Sequence, residues 1–306
     1  MTARARKVRS TASERRNLLK GLGFISPWII GFLVLTLYPI CASLYYSFCD
    51  YKVTAPPHWV GIRNYVELFT DQDYFLPSLK NTAFLFIELP ISLVLSIALA
   101  LLLNQKLRGM ALFRTLYYLP SVVPTVASSI LWLWLLNPQY GLVNKTLEML
   151  HIPTTPWLQS PIWSKPAFIL LDLWTIGGGM VIYLAALQGV PRHLYEAADL
   201  DGASAWRKTW HITLPSISPV IFFNAVLGII GTFQYFTQSF LITSPVGGPA
   251  NSTLFYALYL YQNAFNYFRM GYAAAMAWVL FVLTLLATLV VFKSSARWVY
   301  YEGEAR

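Results

Sequence analysis

Six stretches of mostly apolar residues, each long enough to cross a lipid bilayer, run along this chain at about 24–48, 82–104, 112–136, 166–188, 217–243 and 271–292. A transmembrane helix needs roughly 20 such residues, because the hydrocarbon core is ~30 Å thick and a helix rises about 1.5 Å per residue. Hydrocarbon offers no partner to a free backbone amide, so segments this long and apolar are expected to be helical. The predicted fold class is all-α: a polytopic membrane protein with six transmembrane helices. Composition agrees, since 57% of the chain is hydrophobic and only 11% charged, against about 25% charged in an ordinary soluble domain. The 11 Trp and 19 Tyr are residue types that favour the membrane interface.

The net charge of +9 raises the question of nucleic acid, and the placement of the charge answers it. Arg4, Arg6, Lys7, Arg9, Arg15, Arg16 and Lys20 crowd the start, with Glu14 as the lone acid among them. This pattern reads as a solvated, disordered cytoplasmic tail over residues 1–23 rather than a nucleic-acid patch. With that tail inside, the inner segments also hold Lys106, Arg108, Arg114, Arg192, Arg207, Lys208, Lys293, Arg297 and Arg306. The outer segments hold only Lys52, Arg63, Lys80, Lys145, Lys165 and Arg269. By the positive-inside rule both termini are cytoplasmic, and a second tail occupies 293–306. The first apolar run is longer than a signal-peptide core and no small-residue cleavage site follows it, so it reads as a span. Cys41 and Cys49 have neither the spacing nor the setting of a metal site or disulfide framework.

Proline and glycine interrupt the spans. Pro27 and Pro39 fall in the first, Pro90 in the second, Pro120 and Pro124 in the third, and Gly177, Gly178 and Gly179 in the fourth. Kinked helices of this sort suit a solute pathway, although both residues are common in membrane helices generally. Two acids, Glu88 and Asp172, lie inside spans, where charge is costly enough to suggest function. Both sit near the outer ends, so the expectation is that they reach the interface or pair with a neighbour. Ser244–Ser252 is a turn-rich outer loop, followed over Thr253–Phe268 by an aromatic stretch expected to form a short helix at the outer surface.

Several enzyme classes are excluded. The chain has no phosphate-binding G-x-x-x-x-G-K-[ST], no H-E-x-x-H and no G-x-S-x-G, and His58, His151, His193 and His211 are scattered. No catalytic residue, metal ligand or bound cofactor is expected.

The connection from Gly189 to Pro215 is more than a plain loop between two spans requires. Pro191 suits a first helical turn, and Leu194, Ala197, Ala198 and Leu200 recur on one side. Gly202 breaks the pattern, and Ala203 to Ile212 is expected to form a second short helix ending before Pro215. Two surface helices bent at a glycine would suit docking in a groove of another protein.

The stretch E-A-A-D-L-D-G-A at Glu196–Ala203, with T-L-P at Thr213–Pro215, resembles the E-A-A loop of permease subunits of bacterial binding-protein-dependent ABC importers. Glu196, Ala197, Ala198, Asp201, Gly202, Ala203 and Pro215 match residue by residue. From Pro27 to Phe292 the order of segments is similar to the sugar-importing branch, the maltose- and glycerol-phosphate-transporter type. The phrases G-I-R-N-Y-V-E-L-F (Gly61–Phe69), N-T-A-F (Asn81–Phe84), F-R-T-L-Y-Y-L-P (Phe113–Pro120), Y-G-L-V-N (Tyr140–Asn144) and G-G-P (Gly247–Pro249) carry the likeness. Ser244-Pro245-Val246 departs from it, since the family often has a shorter turn there.

The resemblance implies a type I importer permease fold over 24–292, in the bacterial inner membrane. It implies that the chain forms half of the translocation pathway for a sugar, with 189–215 as the coupling helix on a cytoplasmic ATPase. The implied partners are a second permease, usually a different chain in this branch, two ATPase subunits that carry ATP and magnesium, and an extracytoplasmic solute-binding protein. Stretches of spans four and five line the sugar site in the maltose type, and Trp174, Gly178, Gly228, Thr232 and Gln234 occupy them here. Rival readings are a permease for amino acids, polyamines or peptides, a stand-alone secondary transporter or channel, and a membrane-embedded enzyme. No inverted repeat, paired intramembrane charge or convergent catalytic set favours the last two.

Overall fold

The computed structural model describes residues 12–105, 107–243 and 247–300. Residues 1–11 of the basic tail, Lys106, Ser244–Val246 and residues 301–306 of the carboxy-terminal tail lie outside the described residues. Among the described residues four helices are long and apolar enough to cross a membrane: Arg16–Ser47, Phe75–Leu103, Ala205–Ile242 and Met270–Trp298. Two bent pairs make six, Met110–Val122 with Thr125–Leu135 and Ser164–Leu173 with Gly177–Gln188. In chain order these are spans one to six.

The bends follow the chemistry of proline closely. Span three turns by 96° at Val123-Pro124, and Val123 is extended at φ −67° and ψ 128°. A proline ring clashes with a preceding α-conformation, so the residue before it leaves the helix. Pro90 sits in the first turn of Glu88–Leu103, where its missing N–H has no intrahelical partner to lose. Ahead of Pro39 the helix widens to a π turn at Leu33–Leu37, which carries the chain past the imide without a break. Span four bends by 41° at Trp174–Ile176, ahead of its glycine run.

Three boundaries differ from the sequence-based expectation. The first helix begins at Ala12 rather than near 24, because Arg16, Leu18, Leu19 and Lys20 are good helix formers and continue it out of the apolar region. The all-α expectation misses a small antiparallel hairpin, Cys49–Lys52 with Ala55–Trp59. It follows span one directly and rests on span six. The aromatic stretch after the outer loop is not a surface helix. It forms the helix Tyr256–Tyr261, and Leu254, Phe255, Tyr256 and Leu258 are each 1% exposed or less.

That outer helix packs with Leu68, Phe75, Tyr272 and Met276 into one core. A second core joins spans two, four and five near the elbow through Ala100, Leu103, Met180, Leu187 and Ile217. Span one buries almost nothing, with Phe24 89% and Leu35 75% exposed, as befits a helix facing lipid or a partner.

Three buried asparagines, each within a phrase that carries the family likeness, act as brackets between elements. Asn64 donates to Ser47 O and Cys49 O, both at 2.9 Å. Asn81 donates to Asn251 O at 2.7 Å and Leu254 O at 3.1 Å, fastening the outer loop to span two. Asn144 donates to Pro138 O and Thr155 O and accepts from Thr155 N and the Trp157 indole. A carboxamide offers two donors and an acceptor on a short stem, which is what two otherwise unpaired carbonyls need.

Candidate functional site

Two features built from the sequence stand out, an exposed elbow and a polar cavity, and one helix links them. The elbow begins with the helix Arg192–Leu200, none of whose residues is buried. It ends at Gly202, whose φ of +70° is a left-handed conformation that side chains with a Cβ resist. Gly202 N donates to Asp199 O at 3.1 Å and Ala203 N to Ala198 O at 2.9 Å. This pair of bonds is the Schellman closure, which satisfies carbonyls left open at the helix end. Ser204 then caps the next helix, accepting from Arg207 N.

The second limb does not end before Pro215 as expected. Ala205–Lys208 passes through a π turn at Thr209–Thr213 into Leu214–Phe233. A proline at 215 has no N–H for the regular ladder, and the wider turn ahead of it accommodates the loss. The second limb of the elbow and span five are therefore one continuous helix as far as Phe233. Across the bend, Lys208 Nζ meets Asp199 Oδ1 at 2.6 Å and the Tyr195 hydroxyl meets Thr213 Oγ1 at 2.9 Å. Glu196, Ala197, Asp201 and Gly202 are exposed, and Ala198, Ala203 and Pro215 are half-buried. Leu200 is 91% and Trp206 73% exposed, and Trp206 stacks on Trp210.

The cavity lies between spans two, four and five and holds about 440 Å³. Gly228 and Thr232 line it, together with Glu88, Asp172, Tyr235 and Gln238. Tyr235 and Gln238 donate to Asp172 Oδ1 at 3.3 and 3.5 Å, so this acid pairs with neighbours while facing the cavity. The other three residues expected on the pathway do not line this cavity. Trp174 packs edge-on against Trp132 at the break of span four. Gly178 faces Ser121 of span three. Gln234 is an exposed residue at the end of Leu214–Phe233. Sequence reasoning marked Glu88 and Asp172 as unusual. It had no signal that residues 84 positions apart share one cavity with Tyr235 and Gln238.

Comparisons with known proteins agree with this architecture. The chain is 41% identical over 300 residues to the probable ABC transporter permease protein YesP of Bacillus subtilis, covering 97% of each chain. It is 36% identical over 280 residues to the lactose transport system permease protein LacF of Rhizobium radiobacter, covering 90% of this chain and 93% of that one. Its fold superposes with a TM-score of 0.82 and 26% identity on a bacterial ABC transporter involved in import of the acidic polysaccharide alginate, covering 93% and 97%. Residues 92–299 match a family model, and the chain belongs to that family, the binding-protein-dependent transport system inner membrane components.

Proposed function

We propose that this chain is one half of the translocation pathway of an ATP-driven sugar importer, with its elbow docked on a cytoplasmic ATPase. One observation carries the reading. The helix that begins at Ala205 in the exposed elbow continues as span five and carries Gly228 and Thr232 of the cavity. A rigid helix transmits displacement along its length, so closure of an ATPase against the elbow moves a wall of the cavity.

Several facts support the cargo class. Related permeases are named for lactose, trehalose and maltose, and arabinooligosaccharides. The cavity's hydroxyls, amide and carboxylates suit a solute rich in hydroxyl groups. The alginate transporter has also been solved with its sugar-bound periplasmic protein, which supports an extracytoplasmic solute-binding protein as a partner here. A second permease, two ATPase subunits that hold ATP and magnesium, and cytoplasmic termini complete the arrangement.

Deleting Glu196–Gly202 tests it. The shortened chain is expected to insert in the membrane and to lose co-purification of the ATPase subunits; co-purification at full yield contradicts the docking.

A further inference from the structure

We propose that the short helix Arg63–Thr70, with Trp59 of the hairpin, lies in the lipid headgroup layer on the side of the membrane away from the elbow, an interfacial anchor whose partner is the bilayer itself. It stands on the six spans and not on the solute they carry.

Each side of this helix is accounted for. At about 100° per residue, Asn64 and Leu68 share one side, while Ile62, Val66 and Phe69 fall within about 60° of one another on the other. The first side is buried: Leu68 enters the core with Phe75, Tyr272 and Met276, and Asn64 donates to Ser47 O and Cys49 O. Tyr65, between the two, turns back to span one, its hydroxyl 2.7 Å from Ser47 Oγ. Opposite Tyr65, Arg63 and Glu67 border a polar cleft with Asp50, Lys52 and Arg269, in which Glu67 pairs with Arg269. That leaves Ile62, Val66 and Phe69, each between 53% and 66% exposed. A helix with an apolar stripe beside a charged one suits the plane of the interface, its apolar face toward the acyl chains.

The neighbouring structure sets the depth of the stripe and favours lipid as its cover. Span one ends at Ser47 and span six begins at Met270, and the hairpin is pinned between them, with Cys49 O lying against Gly271. The stripe therefore sits where two spans leave the hydrocarbon. It is also continuous with the exposed surface of span one. The Trp59 ring, 62% exposed, stacks on Phe48 at 5.4 Å and leans on Tyr45 at 5.8 Å, itself half exposed near the end of that span. Trp and Tyr favour this layer because a flat apolar ring carries one polar atom. Arg63 and Lys52, on the water side of the stripe, complete the set of residue types that anchor proteins there.

The test is spin-label accessibility in the whole complex of this chain with its partners, reconstituted in bilayers, with Cys41 and Cys49 replaced by Ser and the other subunits free of reactive cysteine. Nitroxides are attached at Val66→Cys and Phe69→Cys on the apolar stripe and at Arg63→Cys on the charged side. At the two apolar positions, collision with oxygen, which dissolves in lipid, is expected to exceed collision with a water-soluble nickel chelate at least about threefold, with the labels about 5–10 Å into the boundary between headgroups and acyl chains. At Arg63→Cys the order is expected to reverse. Val66 and Phe69 are exposed, so a label at either leaves the fold intact, and Ile62→Cys stands in for one that does not assemble. Stronger collision with the chelate at the apolar positions puts the stripe in water. Weak collision with both reagents puts it under a protein partner, such as the second permease or the solute-binding protein. Either result overturns the proposal.

Discussion

Gly177 of span four lies against the carbonyl of Tyr117 in span three so closely that a Cβ at 177 has no room. The obstacle is backbone, which cannot rotate aside as a side chain can. Gly178, the next residue, would place its Cβ 3.4 Å from Ser121 Cβ, an ordinary contact. Gly177→Ala is therefore expected to destabilise by about 3 kcal/mol, whereas Gly178→Ala stays within about 0.5 kcal/mol. Thermal unfolding of the detergent-solubilised protein separates them, and equal shifts contradict the close approach of spans three and four.

Asn144 makes four hydrogen bonds to a loop that would otherwise leave carbonyls and an indole N–H without partners. Asn144→Ala is expected to cost about 2–3 kcal/mol. Asn144→Asp keeps the acceptor and loses both donors, so it is expected to be destabilising too. Unfolding midpoints of both variants unchanged from wild type would show that the bracket has no structural role.

Asp199 pairs with Lys208 across the elbow, but its side chain is 62% exposed. Exposed ion pairs contribute little because water and salt screen them, and Asp199→Ala is expected to change stability by less than about 0.5 kcal/mol. Measuring the variant at low and high salt checks this. A large loss at both would mean that the pair, rather than the Gly202 closure, holds the bend.

Gly202 has φ +70° and open space around its α-carbon, so conformation alone decides what replaces it. Gly202→Asn, which tolerates the left-handed region, is expected to retain most ATPase co-purification. Gly202→Val is expected to lose it, through strain of about 1–2 kcal/mol and a bend that no longer closes. Equal yields from both would contradict a docking surface shaped by this glycine.

Much of this was legible in the sequence, for identifiable reasons. Six spans and the break at Gly202 follow from local signals, an apolar run and a residue without a Cβ. The course of the chain past Pro215 was not legible, because a π turn is a compromise between proline and the surrounding packing and leaves no pattern of its own. The buried position of Tyr256–Tyr261 was missed because an aromatic stretch beside a polar loop looks the same whether it meets lipid or a protein core. The cavity was half visible. Gly228 and Thr232 lie on one helix at a spacing of one turn, while Glu88 and Asp172 join them only through contacts between spans.

The central claim is that the elbow faces the cytoplasm and is covered by an ATPase, and Leu200, 91% exposed at the tip, reports on both parts. A Leu200→Cys variant, with Cys41 and Cys49 replaced by Ser, is treated with a membrane-impermeant thiol reagent. No labelling is predicted in intact cells, full labelling in inverted vesicles stripped of ATPase subunits, and protection when those subunits are restored. Labelling of intact cells, or no protection by the ATPase, would contradict the account.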